Sequence, residues 1–106
     1  MNKNDIKFKI RQAIEENPFK MDIEKASLFG SYVNGVPRED SDVDLLIIAP
    51  TKERFFDRMA TVRRLIRDLR NGLPVAPVVL TARELETRRK EGDPFVQDIL
   101  ETGVPL

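Results

Sequence analysis

Apolar residues recur at helical spacing over residues 5–16, where Ile6, Ile10, Ala13 and Ile14 share a face and Asn17-Pro18 breaks the pattern. A short apolar segment from Ala26 to Phe29 follows and is cut by Gly30. Val43 to Ala49 reads VDLLIIA, apolar on both faces after its start, which predicts a strand covered on both sides and ended by Pro50. The clearest helix is predicted over residues 53–71. There Phe55, Met59, Val62, Ile66 and Leu69 make a single stripe, and Asn71-Gly72 supplies a stop. Val75 to Leu80 reads as a strand whose prolines, Pro74 and Pro77, point to an edge or a bulge. Thr81-x-x-Glu84 is a capping box for the next helix, which Gly92 ends. Asp93-Pro94 opens a last short helix, with Phe95, Val96, Ile99 and Leu100 expected to face inward. The order helix, strand, strand, helix, strand, helix, helix predicts an α/β (α+β) fold, a small mixed sheet with helices packed on it.

Composition narrows the chemistry. At 106 residues the chain reads as one domain, residues 1–106, with 41% hydrophobic and 34% charged residues, an ordinary globular balance. It contains no Cys and no His, which removes disulfide scaffolds, thiol nucleophiles, zinc sites built on those ligands and every imidazole-based triad. Catalysis here must use carboxylates, Lys, Arg, Ser, Tyr and recruited metal. Eighteen basic residues balance eighteen acidic ones, so no bulk field draws in nucleic acid or an anionic membrane. The first ten residues lack the apolar core of a signal peptide, and no apolar run approaches the roughly 20 residues that span a bilayer. The expectation is a soluble, cytoplasmic protein with no membrane contact and no direct nucleic-acid binding.

Charge is unevenly placed. Residues 52–70 hold seven basic and three acidic side chains, whereas residues 38–44 set Arg38 against Glu39, Asp40, Asp42 and Asp44. A basic helix beside an acidic loop is compatible with phosphate and metal in one site, and equally with solvated surface.

The informative stretch is Phe29-Gly30-Ser31-Tyr32-Val33-Asn34-Gly35 and, after it, Ser41-Asp42-Val43-Asp44-Leu45-Leu46-Ile47. Asp42 and Asp44, at i and i+2 entering a strand, leave the same face about 6.5–7 Å apart along the chain. Two carboxylates that close repel each other unless a cation lies between them, and a hard divalent ion with oxygen ligands suits that place. Taken alone, D-x-D is more often a pair of solvated strand-end acids. Gly30-Ser31 adds a strand that stops and turns into a helix, offering a hydroxyl and free N–H groups where phosphate binds, with Gly35 closing the turn. Three other motifs fail on the letters. Walker A lacks its Gly-Lys-Ser/Thr, the dinucleotide fingerprint breaks at Ser31-Tyr32, and an EF-hand would need Gly and Glu where Leu45 and Thr51 stand.

Gly-Ser, ten intervening residues, then Asp-x-Asp leading an apolar strand resembles the DNA polymerase beta-like nucleotidyltransferase superfamily. Its smallest members, the minimal nucleotidyltransferases (MNT) paired with HEPN proteins in toxin–antitoxin systems, are most similar. The resemblance implies a polymerase beta-like fold in which Gly30, Ser31, Gly35 and Ser41 hold phosphates and Asp42 and Asp44 are catalytic and bind metal. It further implies two Mg²⁺ ions and ATP or another nucleoside triphosphate. AMP would pass to a hydroxyl of a HEPN toxin, silencing it, and the chain could also form a homo-oligomer. Active members generally carry a third acid in a run resembling V-D-x-V-V-L-T. Here that run is Val75-Ala76-Pro77-Val78-Val79-Leu80-Thr81, with Ala76 in the acid's place. The alternative implied is a catalytically weak or inactive protein of this fold that neutralises its partner by binding. Glu84 and Glu86 follow nearby, but Glu84 is accounted for as the partner of Thr81 in the capping box. Asn34 stands where relatives often carry Arg, which weakens a phosphate contact. On the long helix Arg63, Arg67 and Arg70 flank the apolar stripe with Phe56 among them, a composition shared by solvated faces and interfaces. Tyr32, the only Tyr, is expected to pack or to stack on a base.

Overall fold

The computed structural model describes residues 3–15, 23–34, 42–67 and 75–106. The elements in chain order are α1 (Lys3–Glu15), β1 (Lys25–Phe29), α2 (Ser31–Asn34), β2 (Val43–Ile48), α3 (Phe55–Arg67), β3 (Val75–Leu80), α4 (Ala82–Lys90), α5 (Pro94–Thr102) and β4 (Val104–Pro105). The strands form one mixed sheet in the order β3-β2-β1-β4. β1 runs antiparallel to β2 and to β4, whereas β2 and β3 are parallel.

The apolar run of β2 explains its central place. Val43, Leu45 and Ile47 enter a core with Ile10 of α1 and Val62 of α3, while Leu46 and Ile48 meet Leu80 and Ile99 on the opposite face. Both faces of β2 are thus covered, as parallel pairing in a layered α/β sheet demands. β3 lies at an edge, and its proline is placed accordingly. Leu80 turns its carbonyl toward β2, accepting from the Ala49 N–H at 3.1 Å. Alternation then points the backbone of Val79 and Pro77 outward, where a missing N–H costs no ladder bond.

Arg58 of α3 closes that edge. It is 9% exposed and donates from Nη1 to the Val79 carbonyl at 3.3 Å and to Glu84 Oε1 at 2.6 Å, and from Nε to the Glu53 carbonyl at 2.8 Å. Glu84 completes the predicted capping box: its carboxylate accepts from the Thr81 N–H at 2.9 Å, and its own N–H donates to the Thr81 hydroxyl at 3.1 Å. Gly92, at φ +75°, follows α4, and Asp93 caps α5 by accepting from the Phe95 N–H at 2.9 Å.

Two inward-facing residues of α5 are corrected. Val96 and Ile99 are buried, but Phe95 is 38% exposed and Leu100 53% exposed. The core offers α5 a narrow stripe that two side chains fill. The predicted ends at Asn17-Pro18 and Asn71-Gly72 lie outside the described residues.

Candidate functional site

β1 ends at Phe29, and the chain turns at Gly30 with φ +77°, a conformation costly for any residue with a Cβ. The Val33 N–H donates to the Gly30 carbonyl at 3.0 Å, and α2 begins at Ser31, which is partly exposed. The strand registers then decide what meets this corner. Antiparallel pairing sets Phe29 opposite Asp44, and parallel pairing sets Asp44 beside Ala76. Paired residues share a face, so Phe29, Asp44 and Ala76 form a row across three strands on the side that carries Leu46 and Ile48.

Asp44 fills the space that the missing Gly30 side chain leaves. A Cβ added at Gly30 would overlap Asp44 Oδ2 and stand 3.0 Å from its Cγ. The carboxylate therefore lies directly against the glycine backbone. Burial pushes the Asp44 carboxyl above its ordinary value, and the negative charge of Asp42 pushes it further the same way. Asp42 is exposed and sits one residue before β2. Two repelling carboxylates at a glycine corner are a donor set that a hard cation fits, since Mg²⁺ takes one or two carboxylates and completes its shell with water and phosphate oxygens. Among the described residues no group of three or more Asp, Glu, His or Cys side chains gathers anywhere.

The other site residues divide clearly. Gly30, Ser31, Asp42 and Asp44 come together at one end of the β1–β2 pair. Gly35 and Ser41 lie outside the described residues. Ala76, the register neighbour of Asp44, presents a methyl group. Glu84 is engaged by Thr81 and Arg58 beyond the far end of β3, and Glu86 pairs with Arg89 at 2.5 Å, so neither stands in for an acid at residue 76. Phe56 is 77% exposed and meets the Phe55 ring edge-on at 5.7 Å.

Two residues, Phe95 near the corner and Arg58 at the far end of β3, depart from what the apolar pattern predicts. Phe95, expected to face inward, is partly exposed and stands edge-on to Phe29 with ring centroids 5.4 Å apart. Arg58 was not singled out, although it falls on the apolar stripe of α3, three residues after Phe55 and four before Val62. A cation at a core-facing position signals an anionic partner, here the half-exposed Glu84.

Residues 9–104 match the nucleotidyltransferase domain. The chain belongs to that family. As a nucleotidyltransferase domain it is also similar to a protein of Methanocaldococcus jannaschii named "Putative protein adenylyltransferase", with 35% identity over 91 residues. That alignment covers 83% of this chain and 60% of the relative, so the chain spans well under the relative's full length. No solved structure matches the chain significantly. The family match takes in the Gly30 turn, the Asp42–Asp44 pair and Ala76 together. Among the described residues of this nucleotidyltransferase domain, no helix is long and apolar enough to cross a membrane.

Proposed function

We propose that this nucleotidyltransferase domain transfers AMP from ATP to a hydroxyl of a partner protein, using Asp42 and Asp44 with the Gly30–Ser31 corner. The observation that carries the reading is the seat of the Asp44 carboxylate against Gly30, with Asp42 close enough to perturb it. The name of the Methanocaldococcus jannaschii relative supports ATP as donor and a protein as acceptor. In such a transfer the acceptor hydroxyl loses its proton to water as its oxygen bonds to the α-phosphorus, the bond from that phosphorus to the bridging oxygen breaks, and pyrophosphate leaves. The chain's contribution is positioning and charge. Gly30 lets a phosphate approach the backbone, and Ser31 offers a hydroxyl and an N–H. Asp42 and Asp44 would hold Mg²⁺, which, when bound, neutralises the triphosphate beside them. The acceptor in this proposal is a HEPN-type toxin, with this chain as its antitoxin, the pairing that the resemblance to minimal nucleotidyltransferases implies.

The test incubates the protein with Mg²⁺, a HEPN protein and ATP, and follows the acceptor's mass. Addition of one AMP by the wild type and none by Asp44→Asn is expected, whereas equal modification by both removes the proposal.

A second reading rests on Ala76. A methyl group beside Asp44 can neither ligate metal nor accept the acceptor's proton, help worth about 10²–10⁴-fold in rate. On that reading the chain keeps the fold and neutralises its partner by contact. Stable complex formation with no transfer from ATP would favour it.

A further inference from the structure

We propose that the ring of Phe95 is the stacking surface for the nucleobase of the bound nucleotide. The inference rests on the nucleotide site proposed at Gly30 and Asp44. Phe29 shares a face with Asp44 through the strand register, and Phe95 in the first turn of α5 stands edge-on to Phe29, centroids 5.4 Å apart and planes at 85°. Phe29 packs against the core cluster of Leu46, Ile48, Leu80 and Ile99, so it is a fixed post on which Phe95 leans. The core contacts of α5 are met by Val96 and Ile99, which are buried, while Phe95 keeps 38% of its surface open.

An aromatic ring left open and held in orientation against the strand partner of Asp44 is suited to stack a base. Phe95 touches Phe29, and Phe29 is the strand partner of Asp44, so one side chain stands between the open ring and the acid. Stacking needs only a π-face, so the contact strengthens binding of purine nucleotides without choosing between adenine and guanine.

The test is calorimetric binding of α,β-methylene ATP, which cannot transfer its nucleotidyl group, and of inorganic triphosphate, both with Mg²⁺. Wild type, Phe95→Tyr and Phe95→Leu are compared. Leu keeps apolar bulk against Phe29 and loses the π-face, whereas Tyr keeps both. Phe95→Leu is expected to weaken the ATP analogue about 5- to 100-fold while leaving triphosphate unchanged, with Phe95→Tyr close to wild type. The stacking role is overturned if Phe95→Leu binds the analogue as wild type does, or weakens analogue and triphosphate alike. It is also overturned if Phe95→Leu slows transfer with nucleotide affinity intact, which would move the ring to the acceptor. Failure of the wild type to bind either ligand is a different result: it removes the nucleotide site itself.

Discussion

The carboxylate of Asp44 occupies the position where Gly30 has no side chain, so each residue constrains the other across fourteen positions of sequence. Gly30 is in the left-handed region at φ +77° as well, so it carries a conformational and a steric requirement at once. Gly30→Ala should therefore cost about 1–3 kcal/mol of stability from backbone strain, with overlap at Asp44 Oδ2 adding to it. Urea unfolding measures the loss, and Mg²⁺-dependent nucleotide binding should fall in the same variant because Asp44 must move.

Asp44 should trade stability for function. Its folded carboxyl is raised above the ordinary value of 3.8, first by burial and then by Asp42. The fold binds that proton more tightly than the unfolded chain, so Asp44 subtracts stability as pH rises from 3.8 through its raised value. Asp44→Asn should be more stable than wild type at pH 7, with the difference closing below pH 3.8, while nucleotide transfer is lost. Denaturant titrations at the two pH values check the sign.

Glu84 behaves oppositely. Burial pushes it upward, but the Thr81 N–H, the Arg58 guanidinium and the Thr81 hydroxyl outweigh burial and hold it below its ordinary 4.5. Its contribution is present above pH 4.5 and is lost as pH falls through the folded value. Glu84→Ala should cost about 1–3 kcal/mol at pH 7, because the Thr81 N–H loses its acceptor in the capping box and Arg58 loses its partner. That gap should narrow in acid, and nucleotide affinity should stay unchanged.

Ala76→Asp places a third carboxylate beside Asp44 through the parallel register. Without metal the added charge should lower stability at neutral pH and raise the Asp44 carboxyl further. With Mg²⁺ and ATP it should raise the transfer rate by about 10² or more. A rate equal to wild type would show that residue 76 is not the place of a catalytic acid.

Much of this architecture was legible in the residues. The VDLLIIA run marked a strand covered on both sides, Pro77 of β3 marked its edge, and Thr81-x-x-Glu84 marked a helix start, while Pro74 lies outside the described residues. The Asp-x-Asp spacing placed two acids on one face, and the charge of Asp42 does reach Asp44. Properties set by register were not legible. Nothing local says that Phe29 and Ala76 flank Asp44, because that row exists only once three strands pair. β4 is two residues long, too short for any periodicity, and lies along β1, where the Leu106 N–H donates to the Ala26 carbonyl at 2.9 Å. Phe95 and Leu100 share the apolar character of Val96 and Ile99, so hydrophobicity alone could not separate the two that reach the core from the two that stay open.

In the proposed transfer the Gly30–Asp44 corner directs attack at the α-phosphorus of ATP. The most direct measurement offers the protein, Mg²⁺ and its acceptor two samples of ATP, one labelled at the α-phosphate and one at the γ-phosphate. The α-label should become covalently attached to the acceptor with wild type and not with Asp44→Asn, while the γ-label leaves as pyrophosphate. Attachment of the γ-label, or α-labelling that persists undiminished in Asp44→Asn, would contradict the account.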